Sequence, residues 1–215
     1  MTYNRNTFRR ILVCATAAAL LCTGFAGCSD SNSSDSESGV NIAMEDLEYG
    51  ATMRDDDSRA VPLEYDKRFL EGGELDALAN YYASIQNEDV KLFQSCTVEK
   101  YMESLYENAY GGLLDDNAYV TQQKESYEKQ LSGDIHFSQI LVNDCLKQDE
   151  TGSNAEYLTG MLNELNEDSN YCTDHMESCK TLTVQPVLTN GTDTVYCDEV
   201  TVFLIELDNQ YYVCA

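Results

Sequence analysis

Three soft ligands fall within eight residues at Cys172-x2-His175-x3-Cys179, a spacing from which two thiolates and an imidazole could be offered to zinc, with Cys145 or Cys197 as a fourth donor. Zinc sites more often use paired Cys-x2-Cys units, so the competing reading of these residues, disulfide bonding, is preferred. Cys96, Cys145, Cys172, Cys179, Cys197 and Cys214 remain after three cysteines near the N-terminus, and six is a count that suits a disulfide set in an exported domain. Joining Cys172 to Cys179 is the easiest local closure, and the sequence does not choose among the remaining pairings. A Cys197–Cys214 bridge is disfavoured: a two-residue turn at Asp208-Asn209 sets Cys214 opposite Phe203, six residues along the ladder from Cys197. No Cys-x-x-Cys occurs, which removes thioredoxin-type redox chemistry. General bases for neutral pH are limited to His136 and His175. No Gly-x-Ser-x-Gly elbow, His-Glu-x-x-His helix or phosphate-cradling glycine loop is present, so hydrolase, zinc-protease and nucleotide-hydrolysing readings lose their support. Asp55-Asp56-Asp57 and Glu167-Asp168 match no calcium loop and read as solvated charge. No catalytic residue and no cofactor is assigned.

The elements that must position these residues can be read from periodicity. Leu75, Leu78, Ala79, Tyr82 and Ile85 recur at three- and four-residue steps and predict a helix from about Gly73 to Gln86. A short helix with Val90 and Phe93 follows, then one capped by Thr97 with Tyr101, Met102, Leu105 and Tyr106 on one stripe, then one from 117 to 131. From Ile135 the character changes to a strand lasting to Leu146, interrupted by a helix starting at Asn154 that carries Leu158, Met161, Leu162 and Leu165. Strands are then expected at Thr181–Thr189, Thr194–Leu207 and Tyr211–Cys214, joined by turns at Asn190-Gly191 and Asp208-Asn209. Pro186 lacks an amide donor and predicts an edge strand or a bulge. Helices first and strands later give an α+β domain, N-terminal helices packed on one face of a curved antiparallel sheet. The many tyrosines either wall a pocket or pack at the core edge with their hydroxyls at water.

The N-terminus carries a different kind of message. Arg5, Arg9 and Arg10 precede an uncharged run, Ile11 to Gly27, that ends Phe25-Ala26-Gly27-Cys28. This resembles a bacterial lipoprotein export signal, with Phe25 where the pattern usually has Leu. The resemblance implies cleavage before Cys28, a lipid on Cys28, and a soluble protein held by that lipid at the extracytoplasmic face of the cell membrane. An uncleaved membrane anchor is the alternative for so short an apolar run. Without residues 1–27 the chain keeps 10 Lys and Arg against 38 Asp and Glu, near −28, a charge that repels phosphate backbones and argues against nucleic-acid partners. Residues 28–39, beyond Cys28 itself, are almost entirely Ser, Asp, Asn and Glu and read as a disordered tether. Residues 40–68 read as an irregular arm, and 69–215 as one domain.

Within that domain Leu78-Ala79-Asn80-Tyr81-Tyr82-Ala83-Ser84-Ile85-Gln86-Asn87-Glu88-Asp89 is similar to the first helix of NTF2-like, or cystatin-like cone, domains, and Val202 to Val213 to their closing hairpin. The resemblance implies a cone of helices and sheet that presents a cleft or face to a small molecule or another envelope protein. The helix around Leu158 departs from the pattern. The expectation is a lipid-anchored, non-catalytic binding protein; an envelope enzyme with a site in the cone, or a Cys/His metal module, is the alternative.

Overall fold

A computed structural model describes residues 47–134, 136–147 and 153–215; the expected signal segment, Cys28 and the expected tether lie outside the described residues. Helix α1 spans Gly72–Asn87 and buries the predicted stripe of Leu75, Leu78, Ala79, Tyr82 and Ile85. It opens with a capping box in which Glu74 accepts the Glu71 amide at 3.0 Å. Asp89 then caps α2 (Val90–Ser95) by accepting the Leu92 amide at 3.0 Å. Helix α3 (Glu99–Tyr110) starts from Val98, not from a Thr97 cap, because the Thr97 hydroxyl donates back to the Phe93 carbonyl at 2.8 Å. Helix α4 is Asp116–Glu128, three residues shorter at its end than the pattern predicts. Helix α5 is Ser153–Leu165, and α6, Tyr171–His175, is too short for periodicity to reveal.

Seven strands form one curved, unclosed sheet. They are β1 (Met53–Asp56), β2 (Leu63–Asp66), β3 (His136–Lys147), β4 (Met176–Thr189), β5 (Thr194–Tyr196), β6 (Val200–Leu207) and β7 (Gln210–Cys214). The order is β1-β2-β3-β4-β6-β7, with β5 also paired to β4. All pairings are antiparallel except β2 with β3, where the expectation of a purely antiparallel sheet fails. A parallel return needs a long crossover, and α1 to α4 supply it. Asp208 and Asn209 both have positive φ, 50° and 62°, so the β6–β7 turn is of the primed type that suits a twisted hairpin, and Cys214 does stand opposite Phe203.

Pro186 lies neither on an edge nor at the break expected of its own strand. β4 is central, and the neighbouring strand is interrupted instead, between β5 and β6. The Cys197 amide donates to the Pro186 carbonyl at 2.9 Å, and the Gln185 side-chain amide donates to the Cys197 carbonyl at 2.9 Å. Gln185 thereby supplies the donor that proline lacks.

The stretch expected to be an irregular arm contributes β1 and β2, and Glu48–Ala215 forms one compact unit. Asp66, fully buried, holds this hairpin: it accepts from the Gly50 and Thr52 amides, the Thr52 hydroxyl, the Arg68 amide and the Arg68 guanidinium. The Tyr49 hydroxyl accepts the Asp66 amide at 3.1 Å and donates to the Val142 carbonyl at 2.9 Å, tying the hairpin to β3. Asp56, in the run read as solvated charge, is likewise buried and accepts from Ser58 and Arg59.

Side-chain alternation along the strands separates two cores. Leu182, Val184 and Leu188 of β4, Val202 and Leu204 of β6 and Val213 of β7 join α1 to α4 on one face. Cys179, Ile205, Leu207 and Cys214, at the alternate positions, join Ala155, Leu158 and Leu162 of α5 and Cys172 of α6. The α5–α6 excursion thus covers the opposite face, so the helices are not confined to one side as expected. Thr181, in a row with Phe203 and Cys214 on this second face, is 6% exposed, and its hydroxyl has no hydrogen-bond partner.

Replacing that hydroxyl by a methyl in Thr181→Val should stabilise the protein by about 1 kcal/mol, seen as a higher midpoint in urea unfolding, because a buried unsatisfied polar group is removed without loss of shape. Asp66→Ala should cost roughly 3 kcal/mol at neutral pH. Hydrogen bonds from Arg68 and Thr52 hold the Asp66 carboxyl well below the usual carboxylate range, so its contribution is present above about pH 4 and is lost as pH falls through its folded value. The gap between wild type and Asp66→Ala should therefore narrow in acid.

Candidate functional site

In a domain of helices laid on a curved sheet the natural place for chemistry is the space between the layers. Here that space is occupied by side chains. Eight rings form a continuous chain: Tyr110 and Tyr106 meet Tyr119, which meets Phe93, then Tyr81, Tyr82, Phe137 and Tyr127, with centroids 5.0–6.1 Å apart. α1 supplies Tyr81 and Tyr82 at adjacent positions, so one ring turns toward α2 and α4 and the other toward β3. Such edge-on and tilted contacts add about 0.5–1.5 kcal/mol per pair beyond area burial. Burial pushes the Tyr81 and Tyr82 hydroxyls well above the ordinary tyrosine range; that of Tyr119 is pushed up to about 12, burial outweighing a hydrogen bond from Tyr81. These tyrosines stay protonated at neutral pH and serve as packing.

A shallow depression, with room for about one water molecule, opens at one end of this stack, lined by Ile85, Gln86, Lys124, Tyr127, His136, Phe137 and Leu188. His136, exposed at the start of β3, stands at its rim. Gln86 spends its carbonyl on the Phe137 amide, at 2.7 Å, and Lys124 pairs with Glu88 at 2.8 Å. Both polar neighbours of the histidine are therefore engaged in structure. A tyrosine–carboxylate pair in the helical layer, Tyr106 donating to Asp116 at 2.7 Å, is completed by Gln94 donating to the other Asp116 oxygen at 2.6 Å. It joins α2, α3 and the first turn of α4.

The Cys172–His175–Cys179 constellation does not converge. Cys172 and Cys179 are buried in the second core, whereas His175 is 41% exposed in its side chain and turns to Asp208, Nδ1 to Oδ1 3.0 Å, with the Tyr171 ring 4.8 Å from its own. Among the described residues no group of three or more His, Cys, Asp or Glu side chains is placed to hold a metal ion. Burial raises the thiols of Cys96 to about 12 and of Cys179 and Cys197 to about 11, and pushes those of Cys172 and Cys214 up as well. Thiols held in this state are poor nucleophiles and poor ligands at neutral pH. All six predicted disulfide cysteines, Cys96, Cys145, Cys172, Cys179, Cys197 and Cys214, are buried, and the structure joins none of them in a disulfide.

Sequence reasoning passed over the residues that organise the interior polar contacts. Lys180 of β4 pairs with the buried Glu74 of α1 and donates to the Phe69 carbonyl at 2.8 Å, joining the central strand to the first helix. Arg59 bridges Asp56 and Asp76, joining the β1–β2 connection to α1. Their signal in the sequence is only scarcity: 13 basic side chains among 38 acids. Among the described residues no helix is long and apolar enough to cross a membrane. Comparison with protein families, curated proteins and solved structures found no match to this chain.

The hydrogen bond to Asp208 raises the His175 imidazole above its ordinary value. Its NMR titration should therefore show a midpoint above the ordinary histidine value, and Asp208→Asn should bring it down. The folded state gains from the charged imidazole at low pH, and this gain is lost as pH rises through the folded midpoint.

Proposed function

We propose that the protein is a lipoprotein of the cell envelope, held at the extracytoplasmic face of the membrane by a lipid on Cys28, and that its α+β domain is an NTF2-like cone acting as a non-catalytic binding module. The observation that carries the binding role is the aromatic chain between helices and sheet. With Tyr82 and Phe93 at 1% and 0% exposure, the interior that a cone would offer to a small molecule is filled. Recognition is then left to the outer surface, and a protein of the envelope is the partner this favours over a small molecule. The acidic charge suits a partner of basic or neutral surface and opposes nucleic acid.

The lipid-anchor half of the reading rests on the Phe25-Ala26-Gly27-Cys28 pattern. Its test is metabolic labelling of the full chain with an alkyne fatty acid in an exporting bacterium. Wild type should take up label and sediment with membranes, and Cys28→Ala should lose the label; unlabelled wild type would sink the anchor. The binding half is tested on the same cells with a photo-crosslinking residue in place of Tyr196, which is 65% exposed. A discrete protein adduct is expected, whereas a small molecule retained in native mass spectrometry of the detergent-extracted protein would overturn the surface-recognition reading.

A further inference from the structure

The sheet sorts the six thiols. Cys96, Cys145 and Cys197 belong to the core under α1 to α4, and Cys172, Cys179 and Cys214 to the core under α5 and α6. A disulfide needs Cα atoms about 4.4–6.8 Å apart and converging Cβ vectors, so side chains on opposite faces of a strand pair do not bridge. The nearest approach across the faces is at Cys96, whose carbonyl accepts the Val213 amide at 2.8 Å, beside Cys214. There the Cys96 thiol turns back to the Leu92 and Phe93 carbonyls, at 3.2 and 3.3 Å, on the helical side, while Cys214 faces α5. With three cysteines on each face, one is left over on each, and the three-bridge set suggested by their number cannot form.

Register removes further pairs. On the helical face Cys145 stands opposite Leu182, and Cys197 is bonded to Pro186, four residues further along β4, a separation of roughly 13 Å. Cys96 lies beyond β7, with β4, β6 and β7 between it and β3, about four strand spacings or ~19 Å from Cys145. It is also six residues off the Cys197 level along the β4 ladder, roughly 20 Å. On the other face Cys214 pairs with Phe203 and through it with Thr181, which sets it two strand spacings, ~10 Å, from β4 and off the Cys179 row. Cys172 is held against α5, its amide donating to the Asn163 side chain at 2.8 Å and its thiol to the Thr159 carbonyl at 3.6 Å, in helix α6, which packs on β4, the strand that carries Cys179.

The pair that the chain itself brings together is Cys172 with Cys179. Both lie in the same small core, and α6 passes into β4 with no residue between, His175 ending one and Met176 starting the other. We propose that Cys172 and Cys179 form the one disulfide of this domain, pinning α6 to β4, while Cys96, Cys145, Cys197 and Cys214 remain thiols. Two S–H bonds break and one S–S bond forms; the two electrons and two protons pass to a disulfide oxidant such as oxidised glutathione, which leaves as two thiols. This assignment depends on neither the lipid anchor nor the partner.

The test is to reduce and unfold the full chain, refold it in a reduced and oxidised glutathione buffer, alkylate under denaturing conditions and digest with trypsin. Residues 148–180 form one peptide that contains Cys172 and Cys179 and no internal Lys or Arg. That peptide should be recovered two hydrogens light and without alkyl groups, and Cys96, Cys145, Cys197 and Cys214 fully alkylated. Two alkyl groups on the peptide, or either of its cysteines linked to another peptide, would overturn the assignment. In Cys172→Ala refolded in parallel, Cys179 should become alkylated; a new bridge from Cys179 to Cys214 would show that the register argument fails.

Discussion

The fold depends on β4 being buried on both faces. A strand of 14 residues can hold two cores only because its side chains alternate, and the register with β3 and β6 carries the same alternation to its neighbours. Leu182, Val184 and Leu188 fill the helical side while Cys179 and Thr181 face the other. A slip of one residue would exchange these sets and set Lys180 against α5 instead of Glu74. The Lys180–Glu74 pair therefore acts as a register mark as well as an ion pair: it is satisfied in one alignment of β4 under α1.

The acidic composition shapes how the rest is held. Three of the chain's few cations stand where carboxylates are buried. Arg68 meets Asp66, Arg59 meets Asp56 and Asp76, and Lys180 meets Glu74. Two of these three sites fasten the β1–β2 hairpin, an element with little apolar area of its own beyond Leu63 and Tyr65. Removing a carboxylate there leaves several donors without an acceptor, which costs more than the ion pair gains over water. The hairpin in turn carries the only parallel pairing among the described strands, so the crossover through α1 to α4 is anchored at its start by polar contacts and at its end by packing.

This division explains what the sequence reveals and what it conceals. The α1 stripe, the β6–β7 turn and the position of Cys214 opposite Phe203 follow from periodicity and turn chemistry, which are local. The β1–β2 hairpin was concealed because its anchors are charged: Asp56 and Asp66 look solvated until Arg59 and Arg68 are seen beside them. The break between β5 and β6 was concealed because Pro186 acts on its partner strand, through a donor supplied by Gln185. Placement of α5 on the second face was not legible either, since an amphipathic stripe tells which side of a helix is buried and not against which face of the sheet.

The cysteines show the same limit at the level of chemistry. Their number, read with the export-like N-terminus, suggested a bridged framework, yet pairing is decided by face and row, quantities that exist only once strands are in register. Cys96, Cys145 and Cys197 are enclosed by apolar side chains and behave as small hydrophobes. Tyrosine takes the complementary part, because a chain without tryptophan has rings of one size to thread between two layers. Filling the interior with such rings gives rigidity where a cavity would have given capacity. A domain that spends its interior on packing has its surface left for the proposed recognition, and the lipid proposed on Cys28 would fix where that surface is presented.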